Sequence, residues 1–238
     1  MKTRFSIIIP VLNESAGINQ TIGHLRRLIH ISRLSAEIIV VDGDPQGKTI
    51  AAIEDDRVMI TAGEKGRGHQ MNQGAKLSGG DILVFVHADT RLPDDGLSLI
   101  DTACGHPARG AGAFDLAIDS AKPVFRLIEK TASLRSRLTG IPYGDQAFFF
   151  AADYFRALGG FADIPLMEDV EIMRRIKKRR DRIVFIDRPA RTSARRWEKE
   201  GVWKCTLRNW CLISLYIAGM SPGRLAEFYQ VQAAGKTA

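Results

Sequence analysis

An uninterrupted apolar run, Ile82-Leu83-Val84-Phe85-Val86, ends abruptly in His87-Ala88-Asp89. A run this short and this rich in Val, Ile and Phe reads as a strand buried on both faces, and open parallel sheets bind ligands just beyond the carboxyl ends of such strands. Residues i and i+2 of an extended chain point the same way. His87 and Asp89 are therefore expected to share a target, and a divalent cation carrying phosphates suits them. The competing account makes Asp89 a cap for the helix near Pro93.

Further polar residues fall at matching places. Pro10-Val11-Leu12-Asn13-Glu14 follows the first strand pattern, and Pro10 is expected to halt that strand where a crevice opens. Glu14 then suits a ribose or base, while Asn13 or Ser15 as a helix cap is the rival and compatible account. Val40-Val41-Asp42-Gly43-Asp44 puts carboxylates at the same level as Glu14. Gly43-Asp44-Pro45-Gln46-Gly47-Lys48-Thr49 imitates a phosphate loop, but only three residues separate its glycines where four are needed, and Pro45 removes a donor. That spacing argues against an ATPase or GTPase.

The stretch Gly63 to Ala75 is a glycine-rich entry into a helix, in which Arg67 can bridge a phosphate or pair with the rim acids; a plain turn is the alternative. Glu168 and Asp169 open another helix, where the macrodipole favours acids whatever their function. Facing a cleft instead, one could deprotonate an acceptor hydroxyl and the other orient it. Asp145, in Gly144-Asp145-Gln146, can line the same cavity, and Ser193-Ala194-Arg195-Arg196-Trp197 supplies cations with an aromatic platform.

Positioning these residues requires alternating strands and helices, the pattern of an α/β fold. Strands are expected near residues 4–10, 37–42, 57–61 and 81–87, and helices near 15–31, 47–54, 68–79 and 94–103. Beyond residue 108, strands are expected at Ala111 to Ile118, Gln146 to Ala151 and Arg182 to Ile186, the last followed by a basic loop. Helices are expected at Pro123 to Leu138, Glu168 to Lys178, Val202 to Ala218 and Pro222 to Gln230. No repeat or low-complexity linker divides the 238 residues, so the reading is one domain over 1–200 with a helical extension, 201–238, packed on it.

The formal charge of +7 suits an anionic partner. Much of the excess follows residue 173, beside Trp197, Trp203 and Trp210, so a solvated helix face competes with a site for an acidic acceptor or a peripheral membrane contact. The apolar stretch from Trp210 to Met220 is too short to span a bilayer. Three cysteines without CxxC spacing indicate neither a disulfide framework nor a zinc site. With a strand pattern starting at Arg4 and no room for a signal peptide, the expected location is cytoplasmic, extending to the inner face of the membrane.

In order, PVLNE, VVDGD, GRGHQMNQGA, FVHAD, MED and RRW resemble the motifs of the inverting glycosyltransferases of family two, over residues 4 to 200. The match is to small bacterial members with poorly defined substrates. The resemblance implies a GT-A fold, with a Rossmann-like, mostly parallel sheet flanked by helices and a helical C-terminal tail. It also implies a UDP- or GDP-linked sugar donor, a divalent metal (Mn2+ or Mg2+) and an unspecified acceptor, with no nucleic acid among the partners. By position, Pro10, Asn13, Glu14 and Asp42 match the nucleoside site, and Arg67 matches a basic nucleotide contact. Asp89 matches the last acid of the DxD metal motif, and Asp169 the general base, with Glu168 beside it. Arg196 and Trp197 match the RW near acceptor and leaving group.

Three departures stand out. His87 replaces the first acid of DxD, Ser193 stands where the last motif has Gln, and the usual DDGSxDGT has become Asp42 to Thr49. Processive polymer synthases are thereby disfavoured, and a single-addition transferase is expected. The alternatives are a nucleotidyltransferase on a similar sheet and a non-catalytic module that binds nucleotides or anionic surfaces.

Overall fold

A computed structural model of the chain describes residues 3–105 and 110–234. Among these residues eight strands form one sheet in the order β3-β2-β1-β4-β7-β6-β8-β5. The first half is parallel: β1 (Phe5–Val11) lies between β2 (Ala36–Asp42) and β4 (Ile82–Phe85), with β3 (Met59–Ala62) outside β2. The second half is mixed. β7 (Phe148–Ala151) runs antiparallel to both β4 and β6 (Ala111–Asp119), β8 (Ile183–Ser193) runs parallel to β6, and β5 (Thr90–Arg91) closes the edge antiparallel to β8.

The apolar runs form strands because both faces of the sheet are covered. Ile7, Ile9, Ile38, Val40 and Val84 face one core with α1 (Ile18–Ser32) and α4 (Gly96–Cys104). Ile8, Ile39, Val41, Leu83 and Phe85 face the other, where α3 (Arg67–Leu77), α6 (Ala152–Leu158) and α7 (Glu168–Lys178) pack. In that second core, Phe85, Phe150, Phe155 and Phe161 meet mostly edge to face at centroid distances of 5.1–6.3 Å, a favoured arrangement of ring quadrupoles.

Several local expectations are corrected. Pro10 does not halt β1, which continues through Val11. Val86 N–H donates to Ile8 O and Gly43 N–H to Val11 O, so alternate residues of β1 turn their backbone groups to opposite neighbours. Pro10 thus aims its missing donor toward β4, past that strand's last paired residue, where no ladder bond is lost. The expected helix at 47–54 is the single turn α2 (Lys48–Ala51). The expected basic loop after Ile186 is instead the second half of β8, in which Ala190 and Thr192 are buried between exposed Pro189 and Arg191.

α5 (Pro123–Thr139) packs on β6, and a turn of 3-10 helix at Gly144–Gln146 leads into β7. α8 (Arg195–Glu200) follows β8, and α9 (Val202–Ile217) and α10 (Pro222–Ala234) complete the described chain. Leu212 of α9 and Leu225 of α10 are buried with Met167 and Val170, so this pair of helices backs the entry to α7. Among the described residues no helix is long and apolar enough to cross a membrane.

Candidate active site

His87 is not on an extended strand. β4 ends at Phe85, and Thr90 N–H donates to His87 O at 3.0 Å, so residues 87–90 form a turn. His87 and Asp89 therefore do not share one strand face. Instead the His87 ring lies against Gly144: a Cβ built on Gly144 would stand 3.1 Å from His87 Cε1 and Nε2 and 3.5 Å from Asp169 Oδ2. A side chain there would press on the His87 ring. Asp169 Oδ2 accepts the Gly144 N–H at 2.9 Å, while Oδ1 accepts the Val170 N–H at 2.7 Å. His87, Asp145 and Asp169 are thus gathered around one turn.

That turn is held from behind. Buried Gln146 accepts from the Ser136 hydroxyl at 2.7 Å and from Tyr143 N–H at 3.1 Å, and its Nε2 donates to Phe114 O at 2.9 Å. The Arg135 guanidinium lies 3.3 Å from the Tyr143 ring centroid and donates to Ile141 O and Ser136 Oγ. Arg135 was missed by sequence reasoning because an arginine on an amphipathic helix looks like a solvated face. The Arg135 charge nonetheless acts on Asp145 and Asp169.

Opposite this turn, Arg67 opens α3 and reaches Glu168 Oε1 at 3.4 Å. Glu168 is 3% exposed, and Oε1 is buried without a hydrogen bond among the described residues. Burial pushes the Glu168 carboxyl up to about 6; Arg67 opposes this and Asp169 reinforces it. Burial and the Asp169 charge likewise push Asp145 up to about 6, against Arg135 and Arg67. Burial also opposes the charge of Arg67, but Glu168, Asp169, Tyr229 and Asp145 outweigh it and raise its pKa. His87 is held well below its ordinary range by burial and by Arg67 and Arg196, so the imidazole is neutral. Arg196 is exposed, and its charge reaches His87.

Other sequence candidates serve the frame. Asp42 is fully buried, its carboxylate accepting the N–H groups of Asp44, Thr49 and Ile50 at 2.9–3.3 Å. The donors that a phosphate loop would offer are already taken. Glu14 accepts two bonds from Arg195 Nη2, at 2.8 and 3.1 Å, which ties the first motif to the last. Asn13 is exposed with φ 58°, a left-handed turn position that asparagine tolerates, and neither it nor Ser15 caps α1. Trp197 is no open platform: its ring meets Phe125 edge-on at 6.0 Å, and its indole N–H is buried without an acceptor among the described residues. In the glycine-rich motif, Gln70 clips the ends of β1 and β2 by donating to Val11 O and Val41 O, at 2.7 and 2.8 Å.

Asp89 is exposed, and its carboxylate makes no ion pair or hydrogen bond among the described residues. Among those residues no three His, Cys, Asp or Glu side chains could hold a metal ion by themselves. A free carboxylate in the turn after β4 fits a cation shared with substrate phosphates, which commonly takes only one or two protein ligands.

The family model for glycosyl transferase family 2 matches residues 6–155, well over half of the chain. The chain belongs to this family. No curated protein matches it in sequence. Among solved structures, the mannosyltransferase PcManGT from Pyrobaculum calidifontis, in complex with GDP-Man and Mn2+, is 20% identical with a TM-score of 0.60, covering 81% of this chain and 57% of that one. S. aureus TarS in complex with UDP-GlcNAc is 14% identical with a TM-score of 0.58, over 80% and 58%. Glucosyl-3-phosphoglycerate synthase from Mycobacterium tuberculosis, in complex with Mn2+, UDP and phosphoglyceric acid, is 17% identical with a TM-score of 0.55, over 78% and 68%. These likenesses give the family 2 chain a GT-A fold. It spans a little over half the length of the first two.

Proposed function

We propose that this family 2 chain transfers a glycosyl group from a UDP- or GDP-linked sugar to an acceptor hydroxyl with inversion. The observation that carries the reading is the Asp169 carboxylate, fixed by two backbone N–H bonds beside His87 and within reach of the Arg67 charge. A carboxylate has about four acceptor positions, so Asp169 keeps capacity for the acceptor's hydroxyl proton. As that proton moves to Asp169, the acceptor oxygen attacks the anomeric carbon from the side opposite the departing nucleoside diphosphate. Arg67 and Arg196 offset the charge growing on the diphosphate, and neutral His87 adds none of its own.

Asp89 would hold a Mn2+ or Mg2+ ion, which would supply Lewis-acid neutralisation of the leaving group. The structural relatives in complex with Mn2+ and with GDP-Man, UDP-GlcNAc or UDP support this choice of donor and ion. The test is thermal unfolding with nucleotide sugars, with and without Mn2+, followed by donor hydrolysis to water. At a hundredfold excess over Kd a ligand stabilises by about 2.7 kcal/mol, or about 5–11 °C for a domain of this size. The expected result is a metal-dependent shift lost in Asp89→Ala, and an Asp169→Asn variant that keeps the shift but loses about 10²–10⁴ in turnover. Release of pyrophosphate from a nucleoside triphosphate would favour nucleotidyl transfer, and unaltered turnover in Asp169→Asn would overturn the assignment of the base.

A further inference from the structure

α9 buries one side and leaves a continuous apolar stripe on the other. Trp203, Leu207, Trp210 and Ile217 are 58–69% exposed and recur at helical spacing, with exposed Cys211 and Ser214 completing the face. From Trp203 to Ile217 this stripe runs about 21 Å at 1.5 Å per residue. α5 carries a second stripe, Leu127, Leu134 and Leu138, each 57–77% exposed. The two helices are neighbours: Val124, Ile128 and Ala132 of α5 pack in one cluster with Trp197 of α8 and Val202 of α9. Patches of this kind on a folded chain mark a binding surface.

Charge selects the occupant. α9 contains no Asp or Glu, and its exposed cation is Lys204. On α5, Lys130 is exposed beside the leucines, while Glu129, the acid of that helix, is engaged by Arg126 at 3.0 Å. Arg224 is exposed on α10, where Glu227 is the exposed acid beside Phe228. A second copy of a chain with net charge +7 would set these cations against their own kind, whereas anionic headgroups would neutralise them. Tryptophan is moreover the side chain that settles at the level of lipid headgroups, with leucine and isoleucine reaching below them.

We propose that the outer face of α9, with the exposed leucines of α5, docks on an anionic lipid surface, the helices lying in the interface without crossing it. The same helices bury Leu212 and Leu225 against Met167 and Val170, which flank Glu168 and Asp169. Docking therefore holds the back wall of the active site at the membrane.

The test is flotation of the full chain with phosphatidylcholine vesicles, with and without phosphatidylglycerol, at low and high salt. Binding is expected only with the anionic lipid, weakening as salt screens the cations, and Trp203→Ser/Trp210→Ser is expected to weaken it by about tenfold or more. Both indoles are largely exposed, so the variant should melt like the parent. Quenching of wild-type tryptophan fluorescence by lipids brominated near the headgroup gives a readout that needs no variant. No binding to anionic vesicles, binding indifferent to both tryptophans, or a dimer that dissociates in Trp203→Ser/Trp210→Ser without any vesicle binding would each overturn the proposal.

Discussion

Replacing Arg67 by Gln leaves a nearly inaccessible carboxylate facing an empty place. Arg67 stands 3.4 Å from Glu168 Oε1, an oxygen without another hydrogen-bond partner among the described residues. Breaking a fully buried pair costs about 3–5 kcal/mol and an exposed one about 0–1. With side chains 40% and 4% exposed, this pair falls between those limits. A loss of about 1–2 kcal/mol is expected, a drop in Tm of about 2–8 °C for a chain of this length.

The pH dependence carries the sharper signature. Glu168 binds its proton more tightly folded, at about 6, than its ordinary value of 4.5 allows. The folded state therefore holds the extra proton, and this group's contribution to stability falls as pH rises through that window. Removing Arg67 raises the folded value further, so this part of the Arg67→Gln deficit grows upward from pH 6 and vanishes below it, where the folded Glu168 keeps its proton with or without Arg67. Melting curves of Arg67→Gln, Glu168→Gln and the double variant across pH test this directly. A deficit independent of pH, or single losses that merely add in the double variant, would refute the reasoning.

Asp145→Asn should melt higher than the parent at neutral pH. The Asp145 carboxyl is pushed up to about 6, so its ionised form is disfavoured in the fold, and the gain should vanish below its ordinary value of 3.8. Gly74→Ala sets a Cβ into Ile8 Cγ2 and should cost about 1–3 kcal/mol in urea unfolding, whereas an unchanged midpoint would show that α3 can retreat from β1. Trp197→Phe keeps the edge contact to Phe125 and removes a buried donor that lacks an acceptor, so stability and donor binding should both survive. Loss of donor binding there would restore the sugar-platform role to this ring.

What the sequence made legible follows from burial. Strands covered on both faces, such as Ile7-Ile8-Ile9 and Ile38 to Val41, leave unbroken apolar runs. β8 was invisible beyond Ile186 because its buried positions there are Ala190 and Thr192, too small or polar to register, while its exposed positions are Pro and Arg. β5 pairs through only two residues, Thr90 with Thr192 and Arg91 with Arg191, and so has no pattern of its own. α6 starts directly from β7 at Ala152 without a side-chain cap, which removes the usual sign of a helix start.

The candidate site was legible as a set of polar residues at strand ends, but not in its division of labour. Framework and chemistry both need polar side chains there: one to satisfy backbone groups where the ladders stop, the other to meet a ligand. Hydrogen-bonding capacity separates them only once partners are known. Asp42, Gln70 and Gln146 spend theirs on the fold, closing the ends of β1 and β2 and bracing the turn before β7, whereas Glu14 accepts two bonds from Arg195 and, like Asp169, keeps acceptor positions. Asp89 spends none, Glu168 keeps an unbonded buried oxygen, and Asp169 is aimed by two backbone N–H groups with acceptor positions to spare. Motif order thus identifies the rim, and unspent capacity identifies the residues of that rim on which chemistry can act.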